Sequence, residues 1–351
     1  IIKARQDIML KNELGNTNIY VTPVGFGVMT INKYQLDLPL DEGADLIRYA
    51  LERGVNFFDT AQYYETYHYI RAALKLYRAD PGGGGDKSLS DDQTNSNIGK
   101  TEKTRPVISS KSLCSSFDDM RFAVEEALRE MDIDCVDIFL LHEVRADGDF
   151  ESREGAWKYL QEAKKQGLVK AIGVSTHYID VAEKMTDIEE CDVVFPLINY
   201  VGLGIRKGNG KGTYQEMASA IEKLDAAGKG VFGMKAFGGG NLTGSYLEAL
   251  DYVSGLKGVD SIMIGIGNKS EVDRMVEYAE GTIDRSYTPD ISNKKIYINQ
   301  GDCEGCGSCM KACPNKALYW NENGLVDVNH DICITCGYCA PACPVRAIVL
   351  Y

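Results

Sequence analysis

Residues 106–142, PVISSKSLCSSFDDMRFAVEEALREMDIDCVDIFLLH, hold one full repeat of the pattern that decides the fold. A short apolar run opens near Pro106. Phe117, Met120, Val124, Leu128 and Met131 then recur at three- and four-residue steps with acidic residues between them, and a second apolar run follows from Asp137. The two runs read as buried strands, and the middle as an amphipathic helix that lays its apolar stripe on a sheet. Strand, crossover helix and strand make the βαβ unit of a parallel sheet.

The same alternation extends from Val24 to Gly281, with strands opening at or near Val24, Asn56, Pro106, Asp137, Val169, Val193, Val231 and Ser261. Eight consecutive units predict an α/β fold, the (β/α)8 barrel, with chemistry at the C-terminal ends of its strands. Ahead of it, Gly15-Asn16-Thr17-Asn18 forms a hairpin turn, and this hairpin is expected to cap one end of the barrel. Residues 80–103 begin with Gly82 to Gly85 and continue mainly polar, without periodicity, which predicts a mobile insertion. It falls between the second helix and the third strand, opposite the active-site loops, so it is not expected to act as a lid. A linker over residues 282–295 separates a barrel at 9–285 from a second domain at 296–351.

That second domain is written in cysteines. Eight of the eleven lie in the last 49 residues. Cys303, Cys306, Cys309 and Cys313-Pro314 follow C-x2-C-x2-C-x3-C-P, and Cys333, Cys336, Cys339 and Cys343-Pro344 repeat it thirty residues later. Such spacing means metal ligation rather than disulfides. A four-cysteine zinc site is the alternative, but two tandem copies with both prolines favour two [4Fe-4S] clusters. Three thiolates then wrap one cluster while the fourth reaches the other. Cys303, Cys306, Cys309 and Cys343 would form one set, and Cys333, Cys336, Cys339 and Cys313 the other. The segment resembles bacterial two-cluster ferredoxins, which implies a small α+β domain. Cys114, Cys135 and Cys191 stand outside the pattern; two of them fall beside strands or helices where a small buried hydrophobe would do, and none is assigned a role.

Hydrophobic residues at 44% and charged residues at 25% suit a globular chain that buries a core without disulfides. A net charge of -13 excludes nucleic acid and anionic membranes as partners and favours a basic patch on any redox partner protein. With no run of 18 apolar residues and no signal-peptide layout, the expectation is a cytoplasmic protein.

The second strand ends in Asn56-Phe57-Phe58-Asp59-Thr60-Ala61-Gln62-Tyr63-Tyr64, the third in Ser109-Ser110-Lys111 and the fourth in Leu140-Leu141-His142. These stretches resemble the aldo-keto reductases over Leu10 to Gly281. The resemblance implies a catalytic tetrad of Asp59, Tyr64, Lys111 and His142 and hydride exchange between NAD(P)H and an aldehyde, ketone or alcohol. In that scheme the Lys111 ammonium lowers the Tyr64 phenol from its usual value of about 10 so that it can donate a proton. Asp59 holds Lys111, and His142 orients the carbonyl oxygen.

The same resemblance places the nucleotide at Ser175, Asn199, Met234, Lys235, Gly265, Gly267, Lys269 and Arg274. Several of these positions depart from the family pattern. Ser175-Thr176-His177 replaces Ser-Asn, and Phe195 stands where Gln is usual. Met234 takes the place of the stacking ring, and Gly267 that of a phosphate-binding cation, leaving Lys269 or Arg274 to substitute. A glycine-rich turn entering a helix suits phosphate through its free N–H groups.

Three functions fit: a nicotinamide-dependent carbonyl reductase coupled to the clusters, a ferredoxin-driven one-electron reductase without nicotinamide, and a non-enzymatic redox sensor or electron relay. A hydride carries two electrons together while each cluster takes one, so the first needs a mediator and the second does not. A complete tetrad speaks against a sensor, which needs no acid.

Overall fold

The computed structural model describes residues 9–33, 35–79, 104–145, 148–290, 295–333, 339–345 and 347–350. Eight parallel strands close a barrel: β1 (Val24–Gly27), β2 (Phe57–Asp59), β3 (Val107–Ser112), β4 (Val136–Leu141), β5 (Val169–Thr176), β6 (Val193–Pro196), β7 (Gly230–Gly233) and β8 (Ser261–Gly265). Each opens within one residue of its expected position. Between and after them run α1 (Leu40–Glu52), α2 (Tyr67–Ala79), α3 (Phe117–Met131), α4 (Glu154–Lys165), α5 (Ile179–Met185), α6 (Tyr214–Ala226), α7 (Tyr246–Ser254) and α8 (Lys269–Ala279).

Strand residues alternate between two cores because successive side chains point to opposite faces. Phe57, Val107, Ile138, Leu140, Val193, Phe195, Phe232 and Met263 fill the barrel. Their neighbours, among them Phe26, Phe58, Phe139 and Val194, face the helices. The expected stripe on α3 needs one correction. Met120, Val124 and Met131 are buried together with Ala123 and Ala127, but Phe117 is 37% exposed. It occupies the first helical position, beyond the edge of the sheet, where its ring meets Tyr159 edge-on at 5.2 Å.

The N-terminal hairpin pairs Asn12–Glu13 with Tyr20–Val21 and closes the end where the strands begin. Its Leu14, Ile19 and Val21 plug the barrel core, while Asn16 N donates to Gly228 O and Gly15 N to Asp260 Oδ2. The insertion at 80–103 lies outside the described residues.

The C-terminal unit comprises β9 (Ile296–Ile298), α9 (Ser308–Ala312), β10 (Leu318–Trp320), β11 (Val326–Val328), α10 (Cys339–Ala342) and β12 (Ile348–Leu350), with β9 antiparallel to β12 and β10 to β11. It is a small α+β ferredoxin-like domain with its own core of Ile296, Ile298, Leu318, Val326, Ala340 and Ile348. It docks on the barrel end where the strands finish. Leu350 N donates to Gly239 O at 2.8 Å, Arg145 Nη2 to Gly301 O at 3.2 Å, and Lys235 Nζ lies 2.9 Å from Asp302 Oδ2. No helix among the described residues is long and apolar enough to cross a membrane.

Candidate active site

Parallel pairing brings the polar strand ends together. Asp59, the last residue of β2, pairs in register with Ser109, and Lys111 on β3 with Leu140 on β4, one residue short of the turn that carries His142. Tyr64 sits in the 3-10 turn after β2, closed by Glu65 in a left-handed conformation. All four expected tetrad residues line one cavity of about 500 Å³ at this end of the barrel.

Lys111 is 1% exposed, and its Nζ donates to Asp59 Oδ2 at 2.6 Å and Thr60 O at 2.7 Å. The ammonium also lies 4.8 Å from the centre of the Tyr64 ring. Burial pushes the Asp59 carboxyl up and the Lys111 amine down, and each partner's charge opposes that shift. Burial, then Lys111, hold His142 well below its usual value, so it is neutral, and its buried Nδ1 has no hydrogen-bond partner among the described residues.

The expectation of an acidified Tyr64 is not met. Burial, reinforced by Tyr63 and the Asp59 carboxyl, raises the Tyr64 phenol well above 10. The physical reason is burial of the phenol, and two of the three Lys111 donors go to Asp59 and Thr60.

Of the residues expected at the nucleotide, Ser175, Met234, Lys235, Gly265, Gly267 and Arg274 line the cavity. Asn199 and Lys269 do not. Asn199 is buried, its side chain bridging both backbone groups of Leu203, which is the turn role its residue type allows. Lys269 Nζ is held 2.5 Å from Asp45 Oδ2. Arg274 pairs with Glu277 at 2.6 Å, and Gly267 N donates to Glu271 Oε2 at 2.8 Å, so the glycine turn already carries a carboxylate.

A second polar group lines the same cavity: Tyr63, which the motif spacing ranks behind Tyr64 as the acid, His177, and Glu143, Asn299 and Asp302, which sequence reasoning missed. Tyr63 stacks on His142 with ring centres 5.0 Å apart. Asp302 Oδ2 accepts from Lys235 Nζ at 2.9 Å and from Asn299 Nδ2 at 3.0 Å, and Arg145 Nη2 donates to Glu143 Oε1 at 2.8 Å. Burial and the Asp302 carboxylate push Glu143 up to about 8. Burial also works on Asp302, but Lys235, His177 and a hydrogen bond with Glu143 outweigh it and hold that carboxyl below its usual value. The missed Arg153 stitches β3 to β4, donating to Ser112 O and His142 O, both at 2.8 Å. Glu143 adjoins the expected His142 and could have been suspected. Asp302 gave no such signal, because 67 residues separate it from Lys235.

In the small domain thiols of both cysteine motifs gather around Cys309 and Cys339. Burial pushes Cys309 up to about 11, and the thiols that add to the shift are Cys343, Cys303 and Cys306. Burial likewise carries Cys339 up to about 12, with Cys309, Cys313 and Cys333 contributing. Cys336 lies outside the described residues. Val326 N points at Cys303 Sγ (3.4 Å), Ala317 N at Cys313 Sγ and Ala347 N at Cys343 Sγ (both 3.3 Å). Amide donors of this kind favour the thiolate that an iron–sulfur cluster requires.

A closed parallel barrel with an Asp–Lys pair, a tyrosine and a histidine at its strand ends, capped by a cysteine-rich domain, defines a barrel oxidoreductase fused to an iron–sulfur module. Residues 23–280 match the aldo/keto reductase family and residues 295–344 a 4Fe-4S dicluster domain, and the chain belongs to the aldo/keto reductase family. Its cofactors follow from its domains: the dicluster domain carries iron–sulfur clusters, and aldo/keto reductases use NADP(H).

Among curated proteins the chain is 22% identical to the L-galactose dehydrogenase of Arabidopsis thaliana over 75% of its own length and 86% of that protein. It is 27% identical to the methylglyoxal reductase DkgA of Escherichia coli O157:H7 over 56% of its length, spanning 63% of that relative. Solved structures share the fold. An aldo-keto reductase from Bacillus halodurans superposes with a TM-score of 0.57 at 16% identity, covering 80% of this chain and 92% of that one. A Bombyx mori aldo-keto reductase in complex with NADP gives 0.56 at 15% identity, covering 81% and 90%.

Proposed function

We propose that the barrel interconverts a small carbonyl compound and its alcohol, with Tyr64 as the proton donor and Asp59, Lys111 and His142 arranging the transfer. Ser175, Met234, Lys235, Gly265, Gly267 and Arg274 would hold NAD(P)H, which would supply both electrons to the carbonyl carbon as a hydride, and the clusters would offer one-electron transfer outside that step. The observation that carries this reading is the buried Lys111–Asp59 pair beside Tyr64, all open to one cavity.

In reduction the carbonyl oxygen gains negative charge and becomes a stronger base than a phenolate, so even a weakly acidic Tyr64 can give up its proton. Lys111 then sits near the phenolate that is left. His142, neutral and stacked under Tyr63, orients the oxygen without competing for the proton. The cluster ligands proposed are Cys303, Cys306, Cys309 and Cys343 for one cluster, and Cys313, Cys333, Cys336 and Cys339 for the other.

A specific contact favours a second reading, in which the clusters feed electrons singly to a molecule in the cavity. Asp302 lines that cavity and immediately precedes Cys303.

The test is anaerobic mixing of the cluster-loaded protein with NADH or NADPH and a panel of aldehydes and ketones. The expected result is carbonyl-dependent nucleotide oxidation that falls by at least ~100-fold in Tyr64→Phe with nucleotide affinity kept. Failure of nucleotide to bind, with substrate instead oxidising dithionite-reduced clusters, would replace this reading with the second.

A further inference from the structure

We propose that the surface around Cys306 in the cluster domain is the docking site of an acidic one-electron carrier protein. The proposal goes beyond the carbonyl chemistry of the barrel and does not depend on it.

Among the described cluster cysteines only Cys306 is exposed. An electron passing between two proteins needs a short gap between their redox groups, so the cluster that Cys306 would hold is approached most closely from this side. Here Cys306 shares a surface depression with Gly307, Met310, Lys311, Lys316 and Trp320, and no barrel residue among those described lines it.

Trp320 is 56% exposed, yet its ring is fixed in place. Its Nε1 donates to Gly305 O at 3.2 Å, and a Cβ built on Gly307 would lie 2.7 Å from the ring, so the indole rests on the glycine turn that carries Cys306. A pre-positioned indole loses little freedom when a partner covers it. Tryptophan is also enriched among the few residues that carry most of an interface's affinity.

The charges beside it give the sign of the partner. Lys311, in the last turn of α9, and Lys316, in the loop after Cys313-Pro314, are both exposed and have no ion-pair partner among the described residues. No carboxylate among those residues lines the depression, and Glu304 and Glu322, close by in sequence, lie outside it. The net charge of -13 taken alone favours the opposite, a basic partner. That field reaches far only at low salt. At about 0.15 M ionic strength the Debye length is about 8 Å, so two lysines at the contact outweigh carboxylates spread over the rest of the surface. Local complementarity then selects an acidic partner and speeds its encounter. In the transfer the reduced carrier gives up one electron and the cluster takes it, with no bond made or broken and no proton moved.

The experiment titrates an acidic bacterial two-cluster ferredoxin into the full-length, cluster-loaded protein, anaerobically and at about 0.15 M ionic strength, by calorimetry. Wild type is compared with Lys311→Glu/Lys316→Glu, with Trp320→Ala, and with Lys75→Glu/Lys165→Glu, which makes the same change in net charge on exposed positions of the barrel helices α2 and α4. Cluster absorbance, and reduction by dithionite alone, should be the same in all four. Saturable binding to wild type should weaken at least ~10-fold in the Lys311/Lys316 variant and ~30-fold in Trp320→Ala, but less than ~2-fold in the barrel variant. Stopped-flow transfer from the reduced ferredoxin should slow in the same order. If Trp320→Ala loses iron, the Lys311/Lys316 variant, altered only at exposed side chains, decides alone.

Absence of saturable binding to wild type overturns the proposal. So does equal weakening in both charge-reversed pairs, which would make the overall field and not this face the determinant. Binding that is unchanged in the Lys311/Lys316 variant places the carrier elsewhere and overturns it too. None of these outcomes alters the carbonyl reading, which nucleotide oxidation tests without a carrier.

Discussion

The Lys235 ammonium, just past the end of the seventh barrel strand, lies 2.9 Å from the carboxylate of Asp302, the residue immediately before the first cluster cysteine. One ion pair thus links the wall of the barrel cavity to the loop that opens the first cysteine motif. Lys235 adopts a left-handed backbone conformation, φ 57°, to make the turn that aims it there. The contact is nearly enclosed, with side chains 20% and 6% exposed, so solvent screens it weakly.

The Lys111–Asp59 pair is buried, with side chains 1% and 6% exposed. Lys111→Met should therefore strand a carboxylate in the barrel and cost about 3–5 kcal/mol, whereas the double variant Asp59→Asn/Lys111→Met should recover most of that stability. Neither variant should reduce a carbonyl. Unfolding midpoints of the three proteins at equal cluster content check the first statement, and nucleotide oxidation checks the second. A single variant as stable as the double would show that the pair has no structural part.

Glu143 sets a pH dependence whose sign can be worked out. Its folded carboxyl is pushed up to about 8 by burial and Asp302, from 4.5. Between these values the folded protein binds a proton that the unfolded chain has lost, so stability falls as pH rises through this window. His177, which burial holds at about 3, acts in the opposite sense, and its effect ends near 6.5, where the unfolded imidazole also becomes neutral. From about 6.5 to 8 the Glu143 slope is therefore no longer offset by His177. Melting temperatures of wild type measured across this interval should decline, and Glu143→Gln should flatten the decline. Parallel curves for the two proteins would place the proton elsewhere.

The parts that were legible in the sequence are those set by periodicity or spacing. Eight apolar runs located eight strands to within a residue, and the strand ends placed Asp59, Lys111 and His142 together because a parallel barrel leaves them no other arrangement. The illegible parts depend on how two units dock. The pairing of Asp302 with Lys235, or of Arg145 with Gly301 O, follows no repeat and is decided by surface complementarity. The Tyr64 phenol was misjudged because its burial, reinforced by the Tyr63 ring that meets it edge-on, raises it, and a motif does not show burial.

Crosswise ligation of the clusters can be separated from ligation within each motif by one pair of substitutions. Cys303 and Cys343 belong to different motifs but stand together around Cys309. If they share a cluster, Cys303→Ser/Cys343→Ser should keep about half of the iron, and the paramagnetic signal of the reduced protein should lose its cluster–cluster coupling. If each motif held its own cluster, the same double variant would damage both and lose nearly all the iron. Iron content and paramagnetic resonance of the anaerobically purified variant decide between them.

The docking of the C-terminal strand on the loop after the seventh barrel strand hinges on Gly240. Its φ is +85°, and a Cβ built there would lie 2.2 Å from the carbonyl oxygen of Leu350. Neither the conformation nor the contact tolerates a side chain, and the opposing atom is backbone that cannot rotate away. Gly240→Ala should therefore cost about 1–3 kcal/mol locally, lifting Leu350 from Gly239 while the cluster core of Ile298, Val326 and Ile348 stays intact. The measurement is amide exchange: the Leu350 amide, which donates to Gly239 O at 2.8 Å, should lose protection in the variant, and the Ile262 amide inside the barrel should not. Cleavage by protease within residues 282–295 should accelerate in step, since one of the contacts that hold the two domains together is then lost. Unchanged protection at Leu350 would show that the strand docks without needing glycine at position 240.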